Sequence, residues 1–269
     1  MRVAITASIA ALAIGAILVG IATQGIAQST YPSRDVRIVL PSTAGGSPDV
    51  ITRAIANKLS TAWPHRVYVE NRPGASGTIG TLEVSRAPKD GYTYLSATFG
   101  QAVGPLLLTS AKYDIVKDLE PVVMFGTTPS VVLMAPSTGI NSIEELIKYA
   151  KANPEKLTYA HAGPASSGRL AGKAFEYLRD LKMREVSYSG AAPAYQDLIA
   201  GRVDMMVDFL TVAAPRVTTG QLKGLAITAG KRSPKIPDVP TLEEAGISGF
   251  QIGGWFGLLA PAARRVRSS

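Results

Sequence analysis

PSTAGGSPDVITRAIANKL, residues 41–59, follows the short apolar run VRIVL of residues 36–40. A short run rich in β-branched residues suits a buried strand. Beyond it, Ser47 is a good N-cap, and Pro48 then takes the first helical position, where its missing N–H costs nothing. Val50, Ile51, Ala54, Ile55 and Leu59 recur at helical spacing and give the helix one apolar face. Between strand and helix, Gly45 and Gly46 let the backbone take positive φ or approach a ligand closely. The order strand, glycine loop, helix N-terminus leaves free N–H groups and the positive end of a helix dipole at the loop. A carboxylate or phosphate fits there. The glycines match neither the dinucleotide-binding nor the P-loop signature, so an ordinary tight βα turn explains this stretch alone equally well.

The unit recurs along the chain. VYVE (67–70) reads as a strand, NRPGASG (71–77) as a glycine loop and TIGTLEVSRA (78–87) as a helix; PKDG (88–91) is a turn and YTYLSAT (92–98) a strand. VVLMAPS (131–137) is a strand, followed by the helix IEELIKYAKAN, capped by Asn141 or Ser142 and ended at Asn153-Pro154. LTYAHAG (157–163), the loop PASSG and RLAGKAFEYLRDL (169–181) repeat strand, loop and helix. VSYSGAAP (186–193) is strand and loop, AYQDLIAG (194–201) a helix, and RVDMMVDFL (202–210) and LKGLAIT (222–228) are strands. This alternation predicts an α/β fold with mostly parallel sheets, in which ligands gather at loops beyond the strand C-termini. Four glycine-rich loops hold such positions, 41–47, 71–77 (with Gly74 and Ala75), 162–168 and 188–193, and together they can line one cleft. Asp208 falls at the C-terminal end of its strand, where a polar contact to a ligand belongs, whereas Asp204 reads as a solvated strand residue.

Composition narrows the function. The chain has no cysteine and two histidines, His65 and His161, so disulfides and cysteine-based metal sites are excluded and a histidine-built zinc site nearly so. Ser166 and Ser167 stand in GPASSG, which is not a nucleophile elbow, and a serine capping a helix is the favoured reading over a hydrolase using His161 as base. No catalytic constellation, cofactor or metal site is predicted. The net charge is +8, but Lys and Arg are scattered without interleaved aromatics, which argues against nucleic acid as a partner. The first residues, MRVAITASIAALAIGAILVGIATQGIAQS, place Arg2 before an apolar stretch and small Gly25 and Ala27 at the −3 and −1 positions of a cut after Ala27. They read as a secretory signal peptide. The competing reading is a membrane anchor, since the run is long enough to span. Cleavage of 27 from 269 residues leaves 242, enough for one large domain or two lobes of an exported, soluble protein.

Several segments lie in an order that identifies a family: YPSRDVRIVLPSTAGGSPDVITRAIA, VENRPGASGTIG, PKDGYTYL, YDIVKDLEPV, LTYAHAG, LIAGRVDMMVDF, LKGLAITAGKRSPKIPDVPTLEEAG and WFGLLAP. Over residues 31–261 the chain resembles the periplasmic receptors of tripartite tricarboxylate transporters, the Bug or TctC-like family. The resemblance implies a two-lobed periplasmic-binding-protein clamshell of type II-like architecture with two crossing hinge strands. With the signal peptide at 1–27, it places lobe 1 at 28–125, lobe 2 at 126–222 and a return to lobe 1 at 223–269. It implies a small organic acid as ligand: a di- or tricarboxylate, an acidic amino acid or an aromatic carboxylate. Binding is expected from two facing loops, Ser42, Thr43, Ala44, Gly45, Gly46 and Ser47 on one lobe and Ala162, Gly163, Ala165, Ser166 and Ser167 on the other. The implied partners are membrane permease subunits, met by a monomeric receptor in the periplasm. A sensor that reports to a two-component kinase needs the same clamshell and is the alternative.

The chain departs from the family pattern in places that bear on the ligand. Ser42 stands where a bulky aromatic is usual, Ala165 for a glycine, Ser166 for a threonine and Arg169 for a histidine, and Tyr188-Ser189-Gly190 replaces Tyr-Lys-Gly. Arg169 reads either as a counter-charge for a second ligand carboxylate or as a solvated first-turn residue, and the helix dipole disfavours the latter. Tyr188 and Tyr195 read as ligand contacts or packing groups, and Trp255 as a hinge packing residue. Family members continue well past the position where Pro261-Ala262-Ala263 runs into RRVRSS, so the resemblance implies a shortened first lobe.

Overall fold

The computed structural model describes residues 31–250 and 252–263, and the compact unit that carries the fold begins at Arg34. The signal segment and the RRVRSS tail lie outside the described residues. The first sheet starts with β1 (Val36–Leu40), helix α1 (Ser47–Ala62) and β2 (Val67–Asn71). A short 3₁₀ turn leads into α2 (Thr78–Ser85), then β3 (Thr93–Thr98), α3 (Phe99–Leu107) and α4 (Ile115–Asp118). β4 (Leu119–Met134) carries the chain onward to α5 (Ile143–Ala152), β5 (Thr158–His161), α6 (Ser167–Arg179) and β6 (Arg184–Ser187). Then come α7 (Ala191–Ile199), β7 (Met205–Phe209), α8 (Leu210–Thr218), β8 (Lys223–Ile227) and finally β9 (Gly253–Pro261).

β4 has 16 residues. At about 3.3 Å per residue it reaches roughly 50 Å, too far for one small sheet, and it serves two. Its first part, Leu119 to Pro129, pairs antiparallel with β9 in a sheet ordered β2-β1-β3-β9-β4. From Ser130 onward it pairs with β7, and from Val131 with β8 on the other side, within a second sheet that continues through β5 to β6. These are the two lobes, and β4 and β9 are the strands that cross between them. The sheets are mixed rather than mostly parallel. β1 runs parallel to β2 and β3, and β5 runs parallel to β6 and β7, joined by helical crossovers. The pairings of β4 and β9 are antiparallel because the chain leaves the first lobe along one and returns along the other. The return comes later than residue 223: β8 belongs to the second sheet, and Phe250 packs into the second lobe's core.

The crossing is pinned by one side chain. Ser130 N–H donates to the buried Thr228 hydroxyl at 2.8 Å, and that hydroxyl donates to the Ile252 carbonyl just before β9. Each lobe buries its own apolar residues. In the second lobe, alternation along β7 sends Met205 and Val207 to a core with Tyr159 and Phe175, and Met206 to the opposite core with Val131, Tyr195 and Leu198. In the first lobe, Ile38 and Ala56 pack on one face of the sheet, and Val39, Val84 and Leu95 on the other. α3 and α8 escape a reading of local pattern, since each holds an internal proline, Pro105 and Pro215. In α3 the proline takes away the donor that would meet the Gln101 carbonyl, and the buried Tyr113 hydroxyl donates to it instead at 2.9 Å.

Candidate functional site

A cavity of about 680 Å³ opens at the C-terminal ends of the strands of both lobes. The first lobe lines it with the loop after β1, the loop after β2, and Thr98, Gly100 and Gln101 after β3. The second contributes the loop after β5, the loop after β6, and Met206 to Phe209 at the end of β7. Its size suits a small organic molecule.

The loop after β1 is built on Asp49. The Gly45 N–H donates to Asp49 Oδ2 at 3.1 Å, and Asn71 and Arg53 hold Oδ1 at 3.1 and 3.0 Å. Burial alone would raise this carboxyl, but these hydrogen bonds and the Arg53 charge overcome it and hold its pKa below the usual value. Gly45 sits at φ +84, a conformation open to glycine without strain. The helix begins at Ser47 with Gly46 as its N-cap, so Ser47 is not the cap; its hydroxyl is buried with no hydrogen-bond partner among the described residues, as is that of Ser42. Across the cavity, Ser166 does cap α6: its hydroxyl accepts from the Arg169 N–H at 3.3 Å and donates to the Gly163 carbonyl at 2.7 Å. That hydroxyl is therefore engaged with backbone and not with His161.

The lobes meet closely at this site. A Cβ added to Gly190 would overlap the Thr43 hydroxyl and lie 2.9 Å from Thr43 Cβ. One added to Gly163 would lie 3.1 Å from Ser76 Oγ, and one added to Gly100 would lie 3.2 Å from the Ala165 carbonyl. At Gly190 only a residue without a side chain allows this approach; at Gly163 and Gly100 a Cβ would need its neighbour to shift by a few tenths of an ångström.

Of the residues expected to bind ligand, Ser42, Thr43, Gly46, Ser47, Gly74 and Ala75 line the cavity from the first lobe, and Ala162, Gly163, Ala165, Ser166, Ser167, Tyr188 and Asp208 from the second. Ala44 and Gly45 are exposed and stand outside the lining. Arg169 also stands outside it. Its Nε donates to Glu185 at 2.8 Å and its Nη1 to the Pro164 carbonyl at 3.4 Å. Glu185 gathers Lys173 at 2.5 Å and lies 3.4 Å from His161 Nε2, so the arginine is spent on a network behind the loop. Tyr188 lines the cavity while its hydroxyl donates to Asp197 at 2.7 Å. Trp255 packs on the first lobe's core, and Tyr195 is buried. Asp204 is no solvated residue: its Oδ2 accepts from both the N–H and the hydroxyl of Thr158 at 2.7 Å.

Thr98 and Gln101 were missed, although their signal is in the sequence. Thr98-Phe99-Gly100-Gln101 is a capping-box pattern after a strand, and Gln101 Oε1 accepts from the Thr98 N–H at 2.8 Å. Ser76, Gly190 and Phe209 also line the cavity.

The electrostatics follow from the helix starts. The N-terminal residues or caps of α1, α2, α3, α6, α7 and α8 all lie among the lining residues: Ser47, Gly77, Thr98, Ser166, Gly190 and Phe209. Each brings partial positive charge and free N–H groups. Among the described residues the lining holds no Lys, Arg or His, and its one charged residue is Asp208. Burial pushes the Asp208 carboxyl up to about 6, against the Phe209 N–H, the nearby Tyr195 hydroxyl and the Arg216 charge. An anion held here is met by dipoles and hydroxyls.

Residues 51–265 match the model of the tripartite tricarboxylate transporter family receptor, TctC. The chain belongs to this family. It is 36% identical over 253 residues to the UPF0065 protein in the tcbD-tcbE intergenic region of Pseudomonas sp. (strain P51), covering 91% of this chain and 75% of that one. It is 35% identical over 247 residues to BugT of Bordetella pertussis, covering 90% and 76% of the two chains. Among solved structures it is similar to the periplasmic binding protein BugD, at 36% identity and a TM-score of 0.83 over 87% of this chain and 78% of that one. An adipate-bound R. palustris protein is similar at 34% identity and a TM-score of 0.83, with coverage of 87% and 78%. MatC of Rhodopseudomonas palustris, with bound malate, is similar at 33% identity and a TM-score of 0.81, with coverage of 86% and 79%. This member of the Bug and TctC family is therefore a two-lobed solute-binding receptor and not an enzyme.

Proposed function

We propose that this receptor captures a small organic acid in the periplasm and delivers it, as a monomer, to the membrane permease subunits of a tripartite tricarboxylate transporter. The acid is a di- or tricarboxylate, an acidic amino acid or an aromatic carboxylate. The residues that hold it are the cavity-lining serines, threonine and glycines of the loops after β1 and β5, with Gly74, Ala75, Tyr188 and Asp208. Residues 1–27 are its export signal, cut after Ala27. One observation carries this reading: helix N-termini from both lobes converge on a cavity whose lining, among the described residues, has no cationic side chain. Such a site neutralises a carboxylate with N–H groups and dipoles, and the ligand-bound neighbours hold adipate and malate, both dicarboxylates. A site without a buried ion pair also releases its ligand readily when the lobes open, as delivery requires.

Thermal unfolding of residues 28–269 against C4–C6 di- and tricarboxylates, acidic amino acids and aromatic acids tests it. An acid at about 100 times its Kd adds about 2.7 kcal/mol of stability. We expect one class of acid to raise the transition and uncharged analogues to leave it unmoved. A transition that no acid moves would remove the ligand assignment.

A further inference from the structure

We propose that the acid enters this cavity together with one proton, which passes from solvent to the Asp208 carboxylate. The inference rests on the carboxylate-binding reading above and deepens it.

Asp208 is the one charged residue in the lining, and its Oδ2 is buried without a hydrogen-bond partner among the described residues. The surroundings offer it little compensation. β7 alternation puts Asp208 on the same face as Met206. From β4, its paired neighbour is Val131, and from β5 the residue on that face is Ala160. From α7 comes the Tyr195 hydroxyl, buried and with no other partner among the described residues, which favours the ionised carboxylate but does not outweigh its burial. From α8 comes Arg216, whose guanidinium is stacked 4.1 Å over the Tyr195 ring and donates to the Val212 carbonyl at 2.5 Å. His161 and Glu185 lie across the sheet, since His161 alternates with Ala160 along β5. The first lobe's lining faces the cavity with serines, threonines, glycines and Gln101, none of them titratable in this range.

An ionised ligand carboxylate closed into this space would meet an ionised Asp208 at short range with water excluded, and like charges there raise the pKa of one of them. Ligand carboxylates sit among helix N-termini, which favour their charged form; Asp208 is already disfavoured as an anion by its burial, which holds its carboxyl near 6. The proton therefore goes to Asp208. Protonated, it becomes a donor, and a ligand oxygen can accept its hydrogen bond. By linkage, affinity falls as pH rises above the free carboxyl's titration.

Calorimetric titration of adipate, malate and glutamate into residues 28–269 tests this, run from pH 6.5 to 8.5 in phosphate and in Tris, whose ionisation enthalpies differ. Ligand carboxylates titrate near 4 and stay ionised throughout. We expect close to one proton taken up per diacid bound at the upper end, a Kd that rises approximately tenfold per pH unit, and a Kd for Asp208→Asn that does not change across the window. The wild-type proton count stands even if the variant folds poorly. A diacid that binds with no proton uptake and a flat Kd would overturn the inference and leave the receptor reading intact. So would Asp208→Asn that keeps the wild-type slope. Glutamate bound more tightly as pH rises, and lost in Asp208→Asn, would also overturn it by assigning an ionised Asp208 to the ligand's ammonium. Heat from none of the three acids at any pH would overturn the inference for these acids, while the wider thermal-unfolding panel, with its tricarboxylates and aromatic acids, decides the receptor reading separately.

Discussion

Val122-Val123-Met124 and Val131-Val132-Leu133-Met134 are nearly the same sequence on the same strand, β4. In the first lobe the former are 51%, 50% and 63% exposed; in the second the latter are at 0–2%. The difference lies in what surrounds the strand. From Val131 to Met134 it is central, paired with β7 and β8, with one core on each face. Over its first half it pairs with β9 alone and forms the edge of the first sheet among the described residues. Hydrophobic side chains do not bury themselves; neighbouring elements bury them. A strand that serves two sheets shows both outcomes within a few residues.

The largest way to break this comparison is Leu133→Ala. Removing three buried carbons from a closed core costs about 2–5 kcal/mol, read as a lower urea midpoint at unchanged slope. An effect below about 1 kcal/mol would say that the second lobe is no better packed than the first. Next comes the place where the lobes touch. Gly190→Ala sets a methyl against Thr43, and overpacking of about 1–3 kcal/mol becomes a roughly 5- to 150-fold weaker Kd. The unliganded melting temperature should hardly move, because the open form leaves room. In a Thr43→Gly background, which removes the clashing side chain, Gly190→Ala should cause no further loss of affinity; a further loss would place the clash elsewhere. Smaller still is Arg169→Ala. With its guanidinium on Glu185 and partly exposed, the change should cost about 0.2–1 kcal/mol of stability and leave the Kd within about threefold, below 1 kcal/mol. A loss of affinity beyond that would return Arg169 to the ligand. The smallest is Val123→Lys, an exposed edge position, expected within about 0.5 kcal/mol of the parent. Sedimentation should stay that of the monomeric parent, since lysine on an edge strand discourages pairing with another chain.

The site was legible to the extent that it is local. Strand, glycine loop and helix start are written within about fifteen residues at 36–50 and again at 157–170, and the loops they predict do line the cavity. Thr98 to Gln101 carried the same kind of signal and went unread. Arg169 was not legible, because nothing near it in sequence announces Glu185, sixteen residues on across the sheet. Asp208 could be placed at a strand end by counting. Its isolation could not be foreseen, because it depends on what β4, β5, α7 and α8 fail to bring to it.

By itself the sequence determined the α/β alternation, the helices α1, α5 and α6 with their apolar faces, the absence of cysteine chemistry and the family. These rest on periodicity, caps and composition, which act over one or two turns of chain. Only the tertiary structure decided that β4 and β9 cross between lobes, that a tyrosine replaces the donor lost to Pro105, and which loop residues share one cavity. It also decided that Arg169 turns away while Asp208 is buried at the cavity wall among helix N-termini. Each depends on partners distant in sequence, and the energy of a buried charge or an edge strand is set by what folding brings beside it.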